Sequence, residues 1–158
     1  MCIVLSWSLP TIVRFARLVL TALIILSPAA ALAGPGEEAN TAIDRWSAAY
    51  GSNDPEAVVK TYRPDAVLLG TASPMMSAGS DAIRAYFAPL KGSGNRNTIS
   101  ERRTLVLSDN AVLVTGFYEF TRVKEGQSVP APARFTMLLI KHDGEWLISH
   151  HHSSPRVR

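Results

Sequence analysis

The chain has 158 residues, of which 16 are basic and 13 acidic, for a formal net charge of +3. Arg14 and Arg17 supply two of those three excess charges, so residues 34–158 are nearly neutral and make no electrostatic case for nucleic acid. The only cysteine is Cys2, which excludes an internal disulfide.

The first segment has the secretory pattern: two arginines, an apolar run from Leu18 to Leu26, then Ala31-Leu32-Ala33. The run is shorter than the about 20 apolar residues that a spanning helix requires. The expectation is a signal peptide over 1–33, cleaved after Ala33, with a single domain over 34–158. The product is then periplasmic or secreted and is not held at a membrane.

From Glu37 the residues Ala39, Ala42, Ile43, Trp46, Ala49 and Tyr50 recur at helical spacing, up to the stop at Gly51-Ser52-Asn53. Asp54-Pro55 opens a second helix that runs to about Tyr62. Arg63-Pro64-Asp65 ends it, and Ala66 to Gly70 reads as a strand. After a loop over Thr71 to Gly79, Ala82 to Ala88 forms a third helix. Alternation then replaces the helical period. Strands are expected over Thr98–Ser108, Ala111–Val123 and Ala133–Lys141, and a fourth follows Asp143-Gly144. Helices gathered ahead of an antiparallel meander give an α+β domain, with three helices packed on one face of a curved sheet.

The closing strand, Glu145 to Ser154, carries the most chemistry. Strict alternation puts Trp146, Ile148, His150 and His152 on one face and Leu147, Ser149, His151 and Ser153 on the other. His150 and His152 are therefore the candidates for a cavity, including any acid–base step, and His151 is expected in solvent. Two histidines without further Cys, His, Asp or Glu fall short of a zinc site; no metal and no cofactor are expected. Gly92-Ser93-Gly94 neither follows a strand nor opens a helix, so it is not a phosphate loop. Arg134, in an otherwise apolar strand, could present a fork to an anionic ligand if it faced inward. Tyr118 could add a phenol to that cavity, and Trp46, Tyr50 and Tyr62 could close it from the helices.

Four stretches resemble the nuclear transport factor 2-like (SnoaL-like) superfamily: Tyr62-Arg63-Pro64-Asp65-Ala66-Val67-Leu68-Leu69, Ala82 to Phe87, Gly116-Phe117-Tyr118-Glu119-Phe120, and Asp143 to Ser154. Within it they resemble the association domain of calcium/calmodulin-dependent protein kinase II and its free-standing bacterial relatives. The resemblance implies a conical fold, a pocket between helices and sheet, and oligomerisation through the sheet face, but no kinase activity. Three functions follow as expectations. One is an exported, self-associating protein that binds a small polar or acidic molecule through Arg134, Tyr118, His150 and His152. Another is an isomerase, cyclase or hydrolase with His150 or His152 as proton shuttle. The last is a purely structural oligomerisation module.

Overall fold

A computed structural model describes residues 33–156. The expected signal peptide lies outside the described residues except for its last one, Ala33. Helix α1 (Pro35–Gly51) forms because its apolar residues fall on one stripe, with Glu37 and Glu38 at the N-terminal end that favours negative charge. That stripe, Ala39, Ala42, Ile43, Trp46 and Tyr50, is buried against the sheet. The Glu38 carboxylate fastens α1 at one end, accepting from Lys141 Nζ at 2.5 Å and Trp146 Nε1 at 2.7 Å. Those two hydrogen bonds, Lys141 first, hold the Glu38 pKa below its ordinary value. Further along, Arg102 pairs with Asp44 through both carboxylate oxygens, at 2.6 and 3.1 Å.

Helix α2 is short (Pro55–Val59), capped by Asp54, whose carboxylate accepts from Glu56 N. It ends earlier than the sequence suggests because the chain enters strand β1 (Tyr62–Leu69) at Tyr62 rather than at Ala66. Pro64 is tolerated there because the pairing with β6 is irregular between Tyr62 and Val67. A three-residue strand, β2 (Met76–Ala78), is added within the expected loop and leads into α3 (Gly79–Phe87) and a 3-10 turn, Ala88–Leu90.

The meander consists of β3 (Arg96–Ser108), β4 (Ala111–Lys124), β5 (Gln127–His142) and β6 (Glu145–Pro155). The sheet order is β2-β1-β6-β5-β4-β3, antiparallel throughout except for the parallel β1–β6 pair. Two hairpins turn through pairs of positive φ, Glu125-Gly126 and Asp143-Gly144, the conformation that matches strand twist. Strand β5 begins six residues before its expected start and includes Pro130 and Pro132. Pro132 O accepts from Arg156 N, so the proline nitrogen also faces the β6 side, beyond the end of that strand, where no ladder bond is lost. Among the described residues no helix is long and apolar enough to cross a membrane.

Curvature comes from close approach at Gly116. The β3–β4 pairing slips between Ile99 and Glu101, and a Cβ on Gly116 would stand 2.1 Å from Glu101 O and 3.0 Å from Phe135 Cζ. Backbone cannot yield there as a flexible side chain can. Gly116→Ala is expected to lower stability by about 1–3 kcal/mol, the range for overpacking, read as a lower urea midpoint. An unchanged midpoint would show that the bend tolerates a side chain.

Candidate functional site

Strand β6 begins as alternation requires, with Trp146 and Ile148 buried in the cone. Then the register shifts. Leu139 pairs with Ile148 and Leu138 pairs with His150, which leaves Ser149 without a partner on β5. This is a β-bulge, and one extra residue exchanges the faces of everything beyond it. His151 and Ser153 therefore point inward and are 2% and 7% exposed, while His150 and His152 are on the outer face. The expectation for the histidines is corrected on this ground: the inward group is His151, not His150 or His152.

Arg134 is corrected by simple alternation. Its neighbours Ala133 and Phe135 are buried in the cone, so Arg134 is turned outward, where its Nε donates to Ser154 Oγ at 3.0 Å. Arg134 and His152 line a shallow cleft on the outer face, together with Glu101, Arg103 and Phe117. Of the remaining sequence candidates, Trp46, Tyr50 and Tyr118 line the interior cavity, and Tyr62 lies directly behind His151.

That cavity has a volume of about 210 Å³. Its walls are largely aromatic, with Tyr50, Tyr86, Phe87 and Phe120 around the space and Trp46 stacked on Tyr118 at 5.9 Å. Gly70 closes one side because the Tyr86 ring lies on its backbone; a Cβ there would be 2.2 Å from Tyr86 Cζ.

A directed hydrogen-bond chain crosses the floor. Trp46 Nε1 donates to Tyr62 Oη at 3.0 Å. The indole is a donor only, so the Tyr62 proton is free for His151 Nδ1, 2.7 Å away. An imidazole that accepts at Nδ1 carries its proton on Nε2, which faces Tyr118 Oη at 3.3 Å. Tyr118 donates in turn to Ser153 Oγ, and Ser153 is bonded to the Thr71 hydroxyl at the cavity wall. Each polar group of this chain thus has a partner, as burial demands.

Electrostatics follow from that burial. Desolvation, then the neighbouring His150 and His152, bring the His151 pKa down to about 3. Desolvation likewise pushes Tyr62 and Tyr118 above the ordinary phenol range, Tyr118 against the opposing hydrogen bond with Ser153. No Asp or Glu lines the cavity; Arg122 is its charged member. Among the described residues no cluster of His, Cys, Asp and Glu could hold a metal.

Comparisons with known proteins give the family and the fold. A SnoaL-like domain model matches residues 39–158. The chain belongs to the SnoaL-like family. A Xanthomonas campestris protein described as a calcium/calmodulin dependent protein kinase II association domain is 34% identical, with a TM-score of 0.72 over 76% of this chain and 86% of that one. A ketosteroid isomerase-like protein from Erwinia carotovora shares the fold at 23% identity, with a TM-score of 0.64 over 77% and 95% of the two chains. A Novosphingobium aromaticivorans protein described as a scytalone dehydratase does so at 15% identity, with a TM-score of 0.69 over 76% and 83%. No curated protein matches the chain. The α+β fold, with its curved six-stranded sheet, is that of the nuclear transport factor 2-like superfamily, which includes ligand-binding and isomerase-type members.

Sequence reasoning overlooked His151, Ser153, Thr71, Tyr86 and Arg122. Alternation from Tyr118 and Phe120 would have found Arg122; nothing in the sequence marks the bulge that turns His151 inward.

The buried imidazole sets a pH dependence. In the unfolded chain His151 takes up a proton below about pH 6.5; in the folded protein it does so only near pH 3. Between those values the unfolded state holds more protons, so this contribution to stability is complete above about pH 6.5. It is lost as the pH falls toward 3, by at most about 1.4 kcal/mol per pH unit. His151→Gln is expected to remove that slope between about pH 6.5 and 5, above the main carboxylate range, in urea titrations at stepped pH. An equal slope in variant and wild type would contradict the assignment.

Proposed function

We propose that this protein is an exported binding protein for a small, ring-bearing molecule held in the cone, and that it self-associates through the outer sheet face. The observation that carries the reading is the open, aromatic-walled cavity, whose buried polar groups are satisfied up to the Thr71 hydroxyl. A filled apolar cone would instead have favoured a scaffold. Binding is favoured over acid–base chemistry because an efficient shuttle needs a pKa near the working pH, whereas His151 is held near 3. Both of its ring nitrogens are also occupied.

Export rests on the basic, apolar and Ala-x-Ala pattern before Gly34. Self-association rests on the row Leu105–Leu113–Leu138–His150–Val67, which crosses five strands of the outer face in register. Leu105 is 58% exposed, and Glu101, Arg103 and Arg134 flank the row with charges of both signs. A self-complementary patch of this kind suits a two-fold pair with a second copy.

Two measurements test the reading. Phenol and cyclohexanone are expected to give saturable changes in Trp46 emission and to raise the melting temperature, since a guest bound to the native state alone stabilises it. Gly70→Ala, which displaces the Tyr86 wall, is expected to weaken them about tenfold or more, the effect of one lost well-packed contact. No saturable response from either probe would overturn the binding assignment. In sedimentation, Leu138→Arg is expected to convert dimers to monomers; a monomeric wild type would overturn the self-association.

A further inference from the structure

Building on the binding reading, the geometry points to a monocarboxylate on a single ring as the guest, with Arg122 as its anchor. Arg122 follows Tyr118 and Phe120 along the inward face of β4 and lines the cavity. Every Asp and Glu of the chain lies within the described residues, and none forms an ion pair with Arg122. Arg122 is thus a permanent positive charge beside aromatic walls, with no Asp or Glu side chain paired to it. A guanidinium in that setting presents two parallel N–H donors, the arrangement that a planar carboxylate accepts.

The rest of the cavity sets the charge and size of the guest. One arginine balances one negative charge, and His151 is uncharged at neutral pH, so a phosphate dianion would leave charge uncompensated in an apolar space. A cavity of roughly 150 Å³ accommodates benzene; the about 210 Å³ available here leaves room for a short acid arm as well. Thr71 and Ser153, at the end of the buried chain, can meet a hydroxyl or carbonyl on the ring. Asn95, also on the wall, is held in place by Val123 N, which donates to its Oδ1 at 2.9 Å.

The test is titration calorimetry on the full chain with benzoate and phenylacetate, against benzamide and phenylacetamide as uncharged isosteres. Wild type is expected to prefer each acid to its amide by about tenfold or more at low salt, with the preference shrinking as salt rises. Arg122→Gln should equalise acid and amide, while Arg122→Lys should keep part of the preference and so show that the site still folds. Lys60→Gln, at the exposed end of α2 and away from the cavity, should bind like wild type. Amides that bind as tightly as acids would overturn the anchor but leave the cavity reading intact. Tighter binding of phenyl phosphate would overturn the monocarboxylate assignment. A preference that survives Arg122→Gln would place the anchor elsewhere, and no binding by acids or amides would overturn the proposal together with the reading it rests on.

Discussion

The extra residue at Ser149 is the constraint from which the interior of this protein follows. Trp146 and Ile148 must be buried because the N-terminal half of α1 and the Glu38 clasp lie against that end of the strand. If β6 continued without a bulge, His150 and His152 would enter the cone and Ser153 would leave it. With the bulge, one imidazole and one small hydroxyl face inward, opposite Met137 and Phe135 on β5. That exchange sets the cavity floor, and with it the chemistry the cone can offer.

A lone buried imidazole would be costly unless its nitrogens were met. Here four separate parts of the fold contribute partners. Strand β1 brings Tyr62, β4 brings Tyr118, α1 brings Trp46 behind Tyr62, and the loop after β1 brings Thr71 to Ser153. The direction of donation starts at an indole that can only donate, which leaves the Tyr62 proton for His151 Nδ1 and favours the Nε2–H tautomer. Trp46 also meets the imidazole edge-on at 5.2 Å. The network thus ties the helix layer to the sheet through polar contacts inside an otherwise aromatic core. Burial, more than the network itself, keeps His151 neutral.

Much of the architecture was legible in the sequence because it depends on periodicity and turn chemistry. The α1 stripe, the Asp143-Gly144 turn and the meander follow from spacing alone, and the motifs that close the chain carry the family. The site was only half legible. Tyr118, Trp46 and Tyr50 line the cavity, but Tyr62 lies behind His151 and on a strand instead of a helix. Arg134, His150 and His152 are on the opposite face. The reason is physical: alternation is a local rule, and a bulge is set by the fit between strands. Ser149 has nothing in its side chain that announces an unpaired position. Arg122 was hidden differently, because a cation near a strand end ordinarily reads as solvated.

The fold turns His151 inward as a neutral imidazole protonated at Nε2. Long-range proton–nitrogen correlation spectra of the histidine rings, recorded from pH 8 down to pH 5, test it without a ligand or a mutation that disturbs packing. One of the four histidines is expected to keep the Nε2–H tautomer, unchanged, through the whole range. That ring is expected to be His151. A His151 resonance that titrates near pH 6.5 like a free imidazole, or that shows the Nδ1–H tautomer, would contradict it.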